Sequence, residues 1–161
     1  MAEETRLLVV CLGNICRSPI AEGVLRKRIA SSPVAGRVRL DSAGTGDWHI
    51  GQPPDRRAIA KAREHGIDIA GLRARQIAAS DYRDFDWLLC ADRSNLRTLQ
   101  SLAPRDCRGQ PALLLEWAGM AGELEIPDPY NGGSEQFEHV FQLLDKAAER
   151  VVKRLCREYT G

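Results

Sequence analysis

Leu7-Leu-Val-Val-Cys-Leu-Gly-Asn-Ile-Cys-Arg-Ser18 is the stretch that decides how this 161-residue chain folds. Leu7 to Val10 is short, wholly apolar and half β-branched, the pattern of a strand buried on both faces of a parallel sheet. The run breaks at Cys11 and passes Gly13 and Asn14. It then meets Ser18-Pro19, an N-cap residue followed by proline at the first helical position. Strand, loop and helix start follow within one short span. Such a loop turns successive backbone N–H groups inward at a helix N-terminus and makes an anion-binding concavity. Cys11 lies at its floor and Arg17 at its far lip, with five residues between them.

Each part of that cradle has a physical task. A thiolate is a strong nucleophile, yet a free Cys at neutral pH is only slightly ionised. Inward N–H groups, a helix dipole and a neighbouring guanidinium all favour the anion. Arg17 offers a planar fork that matches two phosphate oxygens, which a Lys does not. Gly13 permits a positive φ or a close backbone approach, and Asn14 tolerates the left-handed region better than most residues. The pattern points to covalent phosphoryl transfer through a cysteinyl-phosphate. Cys and Arg at this spacing alone are more often a small buried hydrophobe and a solvated helix-start residue. The preceding strand, the Gly-Asn turn and the Ser-Pro cap turn the reading toward chemistry.

Composition narrows the class. The chain has the length of one domain, with 43% hydrophobic and 28% charged residues. A formal net charge of +1 and the lack of any Lys/Arg block argue against nucleic-acid binding. Arg56-Arg57 and Arg73-Ala-Arg75 read as solvated basic spots. The opening Met-Ala-Glu-Glu-Thr-Arg is no basic n-region, and no run approaches a membrane-spanning length. Cys11, Cys16, Cys90, Cys107 and Cys156 are odd in number and scattered, without zinc-ligand spacing, so no metal and no cofactor is expected. A thiolate nucleophile implies a reducing, cytoplasmic compartment.

Along the chain, Ile20, Ala21, Val24, Leu25 and Ile29 form a helical stripe closed by Ser31-Ser-Pro33. Val38-Arg-Leu40 is a short strand, followed by a small-residue loop, Asp41 to Gly46. Asp55 caps a helix that Gly66 stops. Asp86 to Ala91 is a third strand, Asp92 caps a helix to about Leu102, and Ala112 to Leu115 is a fourth strand. Glu116 to Gly133 is long and irregular, as functional loops often are. Ser134 caps a last helix with a stripe from Phe137 to Leu155. Strands alternating with helices predict an α/β fold, a single-domain parallel sheet with helices on both faces. Loops at the C-terminal strand ends then share one rim, where such folds bind ligands. Those loops carry Cys11 and Arg17, then Ser42, Asp92 and Asp128.

Cys11-Leu-Gly-Asn-Ile-Cys-Arg-Ser-Pro-Ile-Ala-Glu22 resembles the signature loop of the low-molecular-weight protein tyrosine phosphatases. Further matches run in the family's order through Asp41-Ser-Ala-Gly-Thr45, His65-Gly-Ile67, Ala74-Arg-Gln76, Asp86 to Asp92, Ser94-Asn-Leu96 and Asp128-Pro-Tyr130. The resemblance implies four strands in the order 2-1-3-4, one domain spanning residues 1–161, and hydrolysis of phosphotyrosine and small aryl phosphates. It makes Cys11 the nucleophile, Arg17 the phosphate binder and Asp128 the acid that protonates the phenolate and later activates water. Taken alone, Asp128-Pro is a turn former, and Glu123 and Glu125 are the second choices in that loop.

The resemblance implies that the loop residues Leu12, Gly13, Asn14, Ile15, Cys16 and Ser18 bind the substrate phosphate. Ser18 is placed to cap the first helix, to hydrogen-bond the Cys11 sulfur, or both. By resemblance Asn14, Ser42 and His65 brace the loop, and Asp92 orients Arg17 while capping its own helix. Without the family, His65 is equally a last-turn helix residue favoured by the dipole. Ile15, Trp48 and Tyr130 are the expected pocket walls. The related protein-arginine phosphatases carry a Thr where this chain has Ile15, which favours phosphotyrosine here. Asn131 stands where many eukaryotic relatives have a second Tyr. The family pairs Cys16 with the nucleophile in a reversible disulfide, which implies peroxide inactivation that thiols reverse. The implied partners are phosphotyrosine-bearing proteins. Bacterial relatives often act on tyrosine autokinases of polysaccharide export, though nothing in the chain points to that partner. A thioredoxin-coupled arsenate reductase is the rival reading, and it needs two further clustered cysteines that Cys90 and Cys107 do not provide.

Overall fold

A computed structural model describes residues 4–160. Strand β1 (Thr5–Cys11) leads through the signature loop into helix α1 (Arg17–Ala30) and strand β2 (Val38–Gly44). Helices α2 (Arg56–Glu64) and α3 (Asp81–Asp84) precede strand β3 (Trp87–Cys90) and helix α4 (Arg93–Leu102). Strand β4 (Gln110–Leu113), helix α5 (Leu114–Trp117) and helix α6 (Ser134–Thr160) complete the order. The four strands are parallel and lie in the order 2-1-3-4.

Side chains alternate across a strand, and here each face gets its own core. Leu7, Val9 and Leu89 pack with the apolar sides of α1, α2, α5 and α6. Leu8, Val10, Leu88 and Cys90 pack on the other face with Tyr82, Phe85 and Leu99 from α3, its end and α4. Leu7 to Val10 are essentially unexposed, as a run flanked by helices on both sides requires. Tyr82 is buried too, and its hydroxyl donates to the Leu99 carbonyl at 2.6 Å, so no polar atom is stranded there.

Several boundaries differ from the sequence reading, each for a physical reason. α1 begins at Arg17 rather than after a Ser18 cap, and Cys16 holds the cap position without any side-chain capping bond. The Ser18 hydroxyl is turned to the site instead. β2 runs on to Gly44, because its whole length pairs with β1 through Cys11↔Gly44. The small residues read as a loop are small for another reason. A Cβ on Gly44 would lie 2.8 Å from the Leu12 carbonyl oxygen, so the signature loop needs glycine beneath it. β4 ends at Leu113, and the buried Leu114 and Leu115 belong to α5, since a short apolar run does not distinguish strand from buried helix. The short helix α3 has mostly polar residues and gave no periodic signal. Ser134 is the first residue of α6, and the Gly133 N–H is taken by the Gln136 side chain at 2.7 Å.

The order 2-1-3-4 reverses direction beside β1, since the chain passes to β2 on one side and to β3 on the other. Ligands bind α/β sheets at such a switch point, outside the C-terminal strand ends. Cys11 ends β1 and Asp92 follows β3, so both stand at that crevice.

Candidate active site

The loop from Cys11 to Ser18 shows its carbonyls to the protein and its amides to the crevice. The carbonyls of Cys11, Leu12, Ile15 and Cys16 accept N–H groups from Thr45, Gly46, Asp55 and Ile20 at 2.8–3.2 Å. Among the described residues, no protein acceptor takes the N–H of Leu12 through Ser18. A run of free donors around one sulfur is an anion cradle. Asn14 sits at φ +58°, the one non-glycine residue with positive φ among those described, and this bends the loop into its ring.

A polar chain fixes the sulfur's neighbour. Asn14 Nδ2 donates to Ser18 Oγ at 2.8 Å and to Ser42 Oγ at 3.1 Å, while Asn14 Oδ1 accepts the Arg75 N–H at 3.0 Å. The Ser42 hydroxyl in turn donates to the buried Glu22 carboxylate at 2.7 Å. Because an amide hydrogen occupies a Ser18 lone pair, the Ser18 proton is left to point at Cys11 Sγ, 3.0 Å away. Ser18 therefore serves the sulfur rather than the helix end.

Arg17 is almost fully buried and held at one end. Its Nη1 donates to Asp92 Oδ2 at 2.7 Å and to the Ile126 carbonyl at 2.9 Å. Burial opposes its charge, but the Cys11 sulfur, Asp92 and Asp128 outweigh that and hold its pKa above the ordinary value. Asp92 divides its oxygens: Oδ2 takes Arg17, and Oδ1 caps α4 by accepting the Asn95 N–H at 2.8 Å. The free end, Arg17 Nη2, faces Asp128 Oδ2 at 3.8 Å. Asp128 Oδ1 accepts the Tyr130 N–H at 3.1 Å, which keeps the half-exposed carboxyl turned inward over the loop.

These groups meet at a cavity of about 180 Å³ whose lining includes Cys11, Ile15, Arg17, Trp48, Asp128 and Tyr130. Leu12, Gly13 and Cys16 line it too. Trp48 is largely exposed and its indole lies over Gly46, where a Cβ would strike the ring. Burial first, then the charges of Asp55, Cys11 and Asp128, push the Cys16 thiol well above its ordinary range. Cys16 thus keeps its thiol proton beside Cys11. A larger cavity, about 630 Å³, lies between α1 and α6 but offers no thiol.

Not every expected residue reaches this place. His65 does not touch the loop: its Nε2 pairs with Glu138 at 3.1 Å and its ring stacks on Phe141 with centroids 3.9 Å apart. The end of α2 faces α6 rather than the crevice, and the Arg75 N–H does the bracing at Asn14 instead. Glu125 is committed to Arg93, accepting its N–H at 2.9 Å, and Glu123 faces His139 at 3.9 Å; neither lines the cavity. Cys90 is buried on β3, its thiol pushed up to about 12 by burial and the nearby Asp92, so no exposed relay begins there. Glu22 and His49 were given no role from sequence, and Arg57 and Arg75 were read only as solvated basic spots. Glu22 carried a faint signal, since it falls on the buried face one turn after Ser18.

Comparison with known proteins gives a consistent answer. The family model described as low molecular weight phosphotyrosine protein phosphatase matches residues 6–160. The low molecular weight phosphotyrosine protein phosphatase of Sus scrofa is 44% identical over 88% of this chain and 91% of its own. A protein tyrosine phosphatase from Entamoeba histolytica, solved with Hepes in its active site, superposes with a TM-score of 0.90 at 32% identity, covering 97% of this chain and 99% of that one. A Drosophila arginine phosphatase superposes with a TM-score of 0.84 at 30% identity, covering 92% and 96%.

Proposed function

The chain belongs to the low molecular weight phosphotyrosine protein phosphatase family, and from that premise we propose how its residues divide the reaction. It is a cysteine-based phosphotyrosine phosphatase of a single α/β domain. The Cys11 sulfur attacks phosphorus in line with the phenolic oxygen, so an S–P bond forms as the P–O bond breaks. Arg17 and the free loop N–H groups bind the three equatorial oxygens as charge spreads over them. Asp128 gives its proton to the departing phenolate. In the second step the ionised Asp128 takes a proton from water, whose oxygen bonds phosphorus. The S–P electron pair then returns to sulfur, where the Ser18 hydroxyl donates to the leaving anion, and inorganic phosphate departs. All three working groups come from the chain itself.

One observation carries this reading: Cys11, Arg17 and Asp128 line one cavity, with the free guanidinium end 3.8 Å from the carboxylate. Ile15, Trp48, His49 and Tyr130 supply apolar and aromatic walls for a phenyl ring. Phosphoarginine is the second reading, because a Drosophila arginine phosphatase shares the fold. The branched apolar Ile15 side chain speaks for the flat ring. Initial rates on phosphotyrosine, phosphoserine and phosphoarginine peptides test this. Phosphotyrosine is hydrolysed fastest, and Cys11→Ser abolishes the activity. A faster phosphoarginine rate would overturn the assignment.

The same reading extends to Cys16, which shares the cavity with Cys11. Peroxide oxidises the Cys11 sulfur to a sulfenic acid, the Cys16 sulfur displaces water, and a disulfide forms that thiols reduce. Five free cysteines suit a reducing, cytoplasmic compartment. No helix among the described residues is long and apolar enough to cross a membrane. The partners on this reading are phosphotyrosine-bearing proteins, a tyrosine kinase among them. Residues 1–161 act as one catalytic domain.

A further inference from the structure

Arg57, read from sequence as a solvated basic spot, is the most heavily engaged exposed side chain near the site. Its Nε and Nη2 grip both oxygens of Asp55 at 3.0 Å, a bidentate pair. Nη2 also donates to the Tyr130 carbonyl at 2.8 Å, and Nη1 to the Gly132 carbonyl at 2.9 Å. Its guanidinium carbon lies 5.6 Å from the Tyr130 ring centroid and 4.8 Å from that of Phe137. Asp55 is anchored in turn, for its backbone N–H donates to the Ile15 carbonyl at 2.8 Å. The two loops that carry the nucleophile and the carboxyl acid are therefore tied through one ion pair.

We infer that Arg57, braced by Asp55, is a positioning residue that sets Asp128 at the correct height over the signature loop. Tyr130 is the shared node. Its carbonyl is held by Arg57, and its N–H holds Asp128 Oδ1. Freeing the Tyr130 peptide lets the carboxyl drift from the leaving-group oxygen, and small misplacements of a catalytic group are costly to rate. The guanidinium is required because its fork reaches the Asp55 carboxylate and two carbonyls at once, which an ammonium does not. The inference rests on the assignment of Asp128 as the acid.

The test is a kinetic cycle with the full chain: native, Arg57→Ala, Asp128→Asn and the double variant. Each is assayed on phenyl phosphate, whose leaving group needs a proton, and on an aryl phosphate with a strongly activated leaving group. We expect Arg57→Ala to lower kcat/KM, which reports only the steps through phenol release, on phenyl phosphate by about tenfold, part of the 10²–10⁴ that a general acid supplies. The activated ester loses less than about threefold, and in the Asp128→Asn background the substitution adds nothing further. Arg57→Lys recovers only part of the loss. Asp55→Asn, which still caps α2, shows the same leaving-group bias more weakly. Equal losses on both esters, or an undiminished effect in the Asp128→Asn background, would overturn the inference while leaving the acid in place. An Asp128→Asn variant as fast as native on phenyl phosphate would overturn the acid assignment and this inference together.

Discussion

Replacing Asn14 by Asp tests the polar chain beneath the nucleophile, because it preserves shape while reversing hydrogen-bond polarity. Asp tolerates the left-handed φ of +58°, and its Oδ1 still accepts the Arg75 N–H. The other oxygen faces Ser18 Oγ, which it now forces to donate, so the Ser18 proton leaves the sulfur. A negative charge also arrives. With Nδ2 at 2.8 Å from Ser18 Oγ and that oxygen 3.0 Å from Sγ, the new oxygen lies within about 6 Å of the sulfur. At an effective dielectric of about 20 such a pair repels by about 3 kcal/mol, a factor on the order of 10² in the thiolate population. The assay is kcat/KM for p-nitrophenyl phosphate across pH, with iodoacetamide alkylation of Cys11 as an independent measure. Both rates fall by about 10²-fold, most steeply on the acid side. An Asn14→Asp enzyme that hydrolyses and alkylates like the native protein would refute the role given to Asn14 and Ser18.

Asp128→Ala lowers kcat on phenyl phosphate by about 10²–10⁴ while leaving alkylation of Cys11 intact, as expected for a lost general acid. Glu138 is held at about 2 by hydrogen bonds from Gln142, His65 and Lys61. A depressed carboxylate stabilises the fold above its ordinary value near 4.5 and loses that contribution as pH falls toward 2. The group is partly solvated, so the contribution after screening is about 1 kcal/mol. Urea titrations from pH 6 to pH 2 show it: Glu138→Gln is less stable than native at pH 6, the gap narrows by pH 3, and it closes near pH 2. Leu25, buried where α1 meets the sheet and α6, costs about 2–5 kcal/mol when cut to Ala, measured by urea unfolding.

What could be read from the chain follows the range of the forces involved. The run Leu7–Val10, the turn at Asn14 and the cap at Asp92 are local signals, and each resolved into the element expected. The placement of Asp92 was legible twice over, because a cap at the end of β3 must also face the ligand rim. Residues whose partners lie far along the chain were not legible. Arg57 looks like a surface cation until its contacts at Tyr130 and Gly132 are seen, more than seventy positions away. Glu22 and Ser42 meet across α1 and β2, and nothing local announces that pair. His65 was misplaced because a position in a motif says little about which way a helix end turns. The β4 boundary slipped at Leu114 because burial alone draws both strands and helices.

The most direct test of the whole account is to catch the enzyme in mid-reaction. Asp128→Ala protein mixed with a radioactive phosphate ester of a strongly activated phenol, which departs without an acid while the second step lacks its base, is quenched in milliseconds and digested, and its labelled peptide is sequenced. The account predicts label on the peptide that holds Cys11, bound through sulfur, with one phenol released per site before steady turnover begins. Phenol release without any such adduct, or label on a different side chain, would contradict it.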